Sequence, residues 1–209
     1  MRGPAYIILA VLTCLALPAA SQAFLADKIE AVVNEKVITK SEVDRAARAE
    51  AGRRGEDAGG PEAGLWAEAL DALIDRTFLL EEARRFNLVQ VSGGEVEQAL
   101  AAVKKGFGTE EEYRRALEED EMTEEELKED IEDRLLAAKY VDRRVKSIVN
   151  VTLDEQRKFY EENRDRFGGR PFEEAQAGIN ELLAEREAAG KLDEYLKELR
   201  RKARVKIYH

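Results

Sequence analysis

Few residues in this chain could carry chemistry, and their types and spacing exclude most of it. The single histidine, His209, is the last of the 209 residues. A terminal side chain is a poor general base because little holds it in place. The single cysteine, Cys14, sits inside an apolar run near the start, with Thr13 before it. Serine–histidine and cysteine–histidine nucleophilic catalysis therefore lack a base. Zinc sites built from His and Cys lack ligands in the same way. The glycine pairs Gly93-Gly94 and Gly168-Gly169 lack the lysine and the strand-before-helix setting of a phosphate-cradling loop. Adjacent carboxylates such as Glu118-Glu119-Asp120-Glu121 are plentiful. They do not form a calcium-loop pattern, and among interleaved basic residues they read as solvated helix face. We expect no catalytic residue, no metal site and no cofactor.

What remains is binding, and that directs attention to the elements that would position an apolar surface. Apolar residues make up 44% of the chain and charged residues 37%. The first figure allows a packed core, and the second points to helices with well-solvated outer faces. The formal net charge is −10, so nucleic acid is not an expected partner, since phosphate binding needs a basic surface. The nearest basic stretch, Lys197 to Lys206, is broken by Glu198, and a basic helix end also complements its own dipole.

Residues 1–23 have the order of a secretory signal peptide: Met1-Arg2, the uncharged run Ala5 to Leu17, Pro18, and small residues in Ser21-Gln22-Ala23. The apolar run is shorter than the ~20 residues that span a bilayer. Cleavage is expected after Ala23. The mature chain would carry no stable membrane anchor, would be periplasmic, and would contain no cysteine for a disulfide.

Residues 24–209 read as one mainly helical domain with a small β element. Ile29–Val33 and Lys36–Thr39 are apolar and β-branched around Asn34-Glu35, which is a short hairpin. Thr39 or Ser41 caps a helix running to about Arg54, and Gly52 to Gly64 reads as a loop. A long helix is expected from about Pro61 to Phe86, with Trp66, Leu70, Leu73 and Ile74 on its core face, extended by Leu80 and Ala83. Four later capping boxes open further helices: Ser92 with Glu95, Thr109 with Glu112, Thr123 with Glu126, and Thr152 with Glu155. The helix after Thr123 is expected to be the longest, with its stripe at Leu127, Ile131, Leu135, Ala138, Val141, Val145 and Ile148. Gly168-Gly169-Arg170-Pro171 is the clearest break. A last helix follows, with Phe172, Ala175, Ile179, Leu182, Leu183, Tyr195, Leu196, Leu199 and Ala203 inward; Gly190 weakens its continuity. Val205 to Tyr208 alternates as a strand that could join the hairpin.

Several ordered segments resemble the SurA-type periplasmic chaperones. They are DKIEAVVNEKVITKSEV from Asp27, LDALIDRTFLLEEARRFNL from Leu70, FGTEEEYRRALEEDEMTEEELKEDIEDRLLAAKYVDRR from Phe107, VTLDEQRKFYEENRDRF from Val151, and the closing YLKELRRKARVKIY. SurA and the related PrsA foldases usually carry parvulin prolyl-isomerase domains before the C-terminal helix. Here only Gly168-Gly169-Arg170 occupies that place, which divides the domain into a helical part (24–167), a linker (168–170) and a C-terminal helix and strand (171–209). The resemblance implies a SurA-N-like helical chaperone without isomerase activity. It also implies a groove that holds unfolded polypeptides, outer-membrane proteins in transit among them. Leu100, Val103, Phe107, Tyr113, Leu117, Met122 and Leu127 are the candidate client contacts, because short helices there have little sequence to bury against. The other reading of these residues, and of Trp66, is core. A homodimer is compatible with exposed apolar arms. The competing function is an adaptor or structural subunit dedicated to one partner.

Overall fold

The computed structural model describes residues 27–55 and 63–208. The segment read as a signal peptide, with its cleavage site, lies outside them, as do His209 and most of the loop between the first two helices. The described residues open with β1 (Ile29–Val33) and β2 (Lys36–Thr39), joined through Asn34-Glu35. Asn34 adopts φ 54°, a left-handed value that asparagine tolerates better than most residues. Seven α-helices follow among the described residues: α1 (Lys40–Arg54), α2 (Ala63–Phe86), α3 (Gly93–Lys105), α4 (Glu110–Glu119), α5 (Glu124–Arg144), α6 (Leu153–Glu162) and α7 (Phe172–Lys202). The closing strand β3 (Val205–Ile207) pairs antiparallel with β1, giving the sheet order β2-β1-β3. The hairpin forms at the expected residues, and the two ends of the described chain meet in one sheet.

The expected helix starts are where the capping boxes place them. At Thr39, Ser92, Thr109, Thr123 and Thr152 the side chain accepts from the N3 amide while the N3 glutamate accepts from the cap amide. Each box satisfies two amides that the first helical turn leaves unpaired.

The core is divided into three patches along α2 and α5. Ala31, Val33, Ile38, Val43, Ala47, Leu70, Ile74 and Phe78 pack the sheet and α1 on the first part of α2. Trp66 lies against this patch, half-buried, and its indole N–H donates to Asp44 at 2.9 Å. Leu79, Leu80, Ala83, Ala137 and Tyr140 join α2 to α5. Val96, Leu100, Tyr113 and Ile131 join α3 and α4 to α5. Ion pairs bridge the same helices at the rim, Arg76 to Asp130 and Arg84 to Asp133 among them, each at 2.5 Å. The first is part-buried and the Arg84 end of the second is exposed, and surface pairs of the second kind add little stability.

Three expectations are corrected. The longest helix is α7 with 31 residues, against 21 in α5; Gly190 does not interrupt it. The stripe on α5 does not run straight: Ala138 faces solvent, and Ala137 and Tyr140 are buried instead. The first half of α5 serves the α3–α4 patch and the second half serves α2, so the buried face turns along the helix. Helix α5 ends at Arg144; Val145 is buried, but Ile148, in the short 3-10 turn that follows, is exposed. Leu182, expected inward on α7, is also exposed, while its neighbours Ile179 and Ala188 are buried.

Candidate functional site

The second half of the chain builds an arm. Helix α6 packs chiefly on the first part of α7. The two are joined by a tight turn in which Gly168 (φ 55°) and Gly169 (φ 80°) take left-handed conformations that side chains disfavour. Only a short 3-10 turn (Arg164–Phe167) and this glycine turn, with Pro171 capping α7, stand between them; no domain is inserted there. At the tip the Tyr160 ring stacks on Phe167 at 5.3 Å and meets Phe172 edge-on at 5.6 Å, and the Tyr160 hydroxyl donates to the Arg170 carbonyl at 2.7 Å. None of these rings is fully buried.

Midway along the arm, Gln156 is buried. Its Nε2 donates to Asn180 Oδ1 at 2.9 Å and to the Val151 carbonyl at 3.3 Å. Its Oε1 has no partner among the described residues. Beside it a groove of about 460 Å³ runs between the two helices, floored by Val151, Phe159 and Leu183 and rimmed by Glu155, Lys158 and Arg186. Ile148, Leu153 and Leu182 add exposed apolar surface to the same arm; at 56%, 47% and 46% accessible they are among the barest large apolar side chains described.

The C-terminal half of α7 anchors the arm to the body. Leu192, Tyr195 and Leu196 pack on Leu79, Leu80, Ala83, Ala137 and Tyr140. The Arg200 guanidinium reaches Asp75 at 2.7 Å and Asp71 at 3.2 Å on α2. Between these contacts lies a part-buried chain of polar groups. The Tyr195 hydroxyl donates to Glu82 Oε2 at 3.0 Å and lies 2.9 Å from the Tyr140 hydroxyl, which must then be its donor. Burial, reinforced by the Tyr140 and Glu82 contacts, pushes the Tyr195 phenol well above its ordinary pKa, so it stays a neutral donor. Below this latch a second concavity of about 320 Å³ opens along Leu79, Ala137, Ala138 and Val141.

The α3–α5 segment holds the seven residues expected to contact clients. Five belong to one patch: Leu100 and Tyr113 are buried at its centre, and Phe107, Leu117 and Leu127 pack around them, half-buried. Phe107 meets Tyr113 edge-on at 5.6 Å. The Tyr113 hydroxyl donates to Glu124 at 3.1 Å, and Lys104 lies 4.8 Å over the Tyr113 ring while pairing with Glu124 at 2.6 Å. Burial and then Glu124 push the Tyr113 phenol up to about 12. Val103, 38% exposed, and Met122, half-buried, stand outside the patch.

Sequence reasoning missed the arm surface of Ile148, Leu153 and Leu182. A partial signal was available: Leu153 lies in the first turn of its helix, where fewer neighbours surround a side chain.

Among the described residues no helix is long and apolar enough to cross a membrane. No curated protein matches the chain. Among solved structures, it is similar to a chain from work on the virulence factor PEB4 and the periplasmic protein Cj1289 of Campylobacter jejuni, described as two structurally related SurA-like chaperones. The TM-score is 0.53 at 13% identity, covering 88% of this chain and 100% of that one. The likeness is one of fold. The family model for the SurA-like N-terminal domain matches residues 4–141, more than half the sequence, and the chain accordingly belongs to the SurA-like N-terminal domain family.

Proposed function

We propose that this protein is an ATP-independent periplasmic chaperone that holds unfolded polypeptides, outer-membrane proteins in transit among them, and performs no isomerisation or other covalent chemistry. Export would use residues 1–23 as a cleavable signal, releasing a chain that starts at Phe24. The observation that carries the reading is the arm: two helices, latched to the body through α7, with an apolar-floored groove between them and Ile148, Leu153 and Leu182 bare elsewhere on its surface. Apolar surface of this kind marks an interaction site when it is clustered. Burying a client's side chains there is worth about 25 cal/mol per Å² before the cost of association, so binding stays reversible. Val103 and the half-buried Phe107, Leu117, Met122 and Leu127 would form a second contact surface, with Leu100 and Tyr113 as its floor. The direct passage from α6 to α7 through Gly168-Gly169 supports the absence of a parvulin insertion at that place.

The test is light scattering while a urea-unfolded outer-membrane β-barrel protein is diluted into buffer, with and without the chain from Phe24 to His209. An unrelated unfolded soluble protein is the second client. Suppression of both at near-stoichiometric ratio is expected. Suppression of neither, by a folded sample, would refute the holdase and favour an adaptor for one partner. Sedimentation of the same sample distinguishes monomer from homodimer.

A further inference from the structure

The sheet ends on β3, and β3 leaves an edge open. The Asn34 amide donates to the Arg204 carbonyl and the Tyr208 amide to the Glu30 carbonyl, both at 2.8 Å. Ala31 lies opposite Ile207, Val32 opposite Lys206 and Val33 opposite Val205. Antiparallel alternation then turns the backbone groups of Arg204, Lys206 and Tyr208 toward β1, and those of Val205 and Ile207 away from it. Among the described residues no backbone partner meets these outward amides.

The side chains along this edge carry a pattern. Val205 and Ile207 share the face of Val33 and Ala31, yet at the rim they remain 38% and 43% exposed. Lys206 lies on the opposite face, its Nζ 4.5 Å over the Tyr208 ring. Arg200 and Lys202 are paired, with Asp71, Asp75 and Glu198. On and beside β3, Arg204 and Lys206 form no salt bridge among the described residues. Glu81 on α2 is engaged by Asn34 Nδ2 at 2.6 Å. The edge is thus basic on a chain whose formal charge is −10. A second copy pairing β3 to β3 would bring its own basic residues against these, which short charged edges commonly prevent. An acidic strand would meet attraction instead.

We propose that β3 accepts, by strand addition, an extended segment in which apolar residues flank an acidic one. Its backbone would bond to the outward groups of Val205 and Ile207. Its apolar residues would extend the face of Val205 and Ile207, and its carboxylate would lie beside Lys206 on the other face. The inference rests on the chaperone reading and deepens it, since alternation of apolar and polar residues is the pattern of a β-barrel strand. It names the part of a client that is held at this sheet.

The test is fluorescence anisotropy with a labelled peptide that alternates valine and glutamate, its counterpart with lysine for glutamate, and vesicles containing phosphatidylglycerol. The glutamate peptide is expected to bind and the lysine peptide to bind at least about fivefold more weakly. Lys206→Glu should reverse that order. Ile207→Pro, which removes an outward amide but no bond to β1, should weaken both peptides. Amide exchange of Val205 and Ile207 should slow when the glutamate peptide is bound. Equal binding of the two peptides, or an unchanged order in Lys206→Glu, overturns the proposal. Vesicle binding lost in Lys206→Glu, with no peptide binding, overturns it in favour of an anionic membrane surface. Suppressed scattering of unfolded clients without peptide binding fails this inference alone. Peptide binding without suppression fails the holdase and leaves the edge site standing.

Discussion

The polar latch between α2, α5 and α7 makes a sharp prediction, because its hydrogen bonds form a chain with a direction. Tyr195 donates to Glu82 and accepts from Tyr140. Tyr140 is fully buried, and Tyr195 is its hydroxyl's partner. Removing the Tyr195 hydroxyl deprives Glu82 of a donor and strands the Tyr140 hydroxyl. A bond to a charged group contributes roughly 1.5–3 kcal/mol, and a stranded buried hydroxyl costs about 1–3 kcal/mol. Allowing for the partial exposure of Glu82, Tyr195→Phe should destabilise by about 2–3 kcal/mol, lowering Tm by about 4–12 °C. Tyr140→Phe leaves the Tyr195–Glu82 bond intact and should cost about 1 kcal/mol. The double variant removes the stranded hydroxyl as well, so it should be more stable than Tyr195→Phe alone. Urea unfolding followed by circular dichroism measures all three, and a shared m-value shows that the same transition is compared. A double variant whose loss equals the sum of the single losses would refute the chain of bonds and leave Tyr195 as packing only.

Two further outcomes follow from the geometry. Lys139, and then the Ser92 amide and hydroxyl, hold the Glu95 carboxyl down to about 2, below its ordinary value of 4.5. Its stabilising effect is therefore present above about pH 4.5 and lost as pH falls toward 2, so Glu95→Gln should flatten the decline of Tm across that window. An unchanged slope would show that the pair does not couple to folding. Gly190 lies within α7, and an added Cβ there meets nothing within 4 Å. Gly190→Ala should raise stability by about 0.5–1 kcal/mol in thermal unfolding, since alanine loses less backbone entropy in a helix. A loss would mean that the glycine serves a conformation other than the continuous helix.

The sequence by itself determined the local elements. Capping boxes are short-range, and a threonine with a glutamate three residues on states where a helix starts whatever surrounds it. So the starts at Ser92, Thr109, Thr123 and Thr152 were legible, and the first was narrowed to Thr39 or Ser41, of which Thr39 is the cap; so were the hairpin at Asn34-Glu35 and the break at Gly168-Gly169. The want of a histidine–nucleophile pair or of a His/Cys zinc set was equally a matter of residue type. Only the tertiary structure decided which face of each helix is covered. Helix α5 serves two partners on different sides, so one periodic stripe could not describe it, and Ala137 rather than Ala138 is buried. Leu100 and Tyr113 are core because α5 returns over α3 and α4, while Leu153 and Leu182 are bare on an arm in which α6 and the first part of α7 pack chiefly on each other. Apolar residues at helical spacing look alike in a sequence. Their exposure is set by contacts with residues far along the chain, and local pattern carries no record of those.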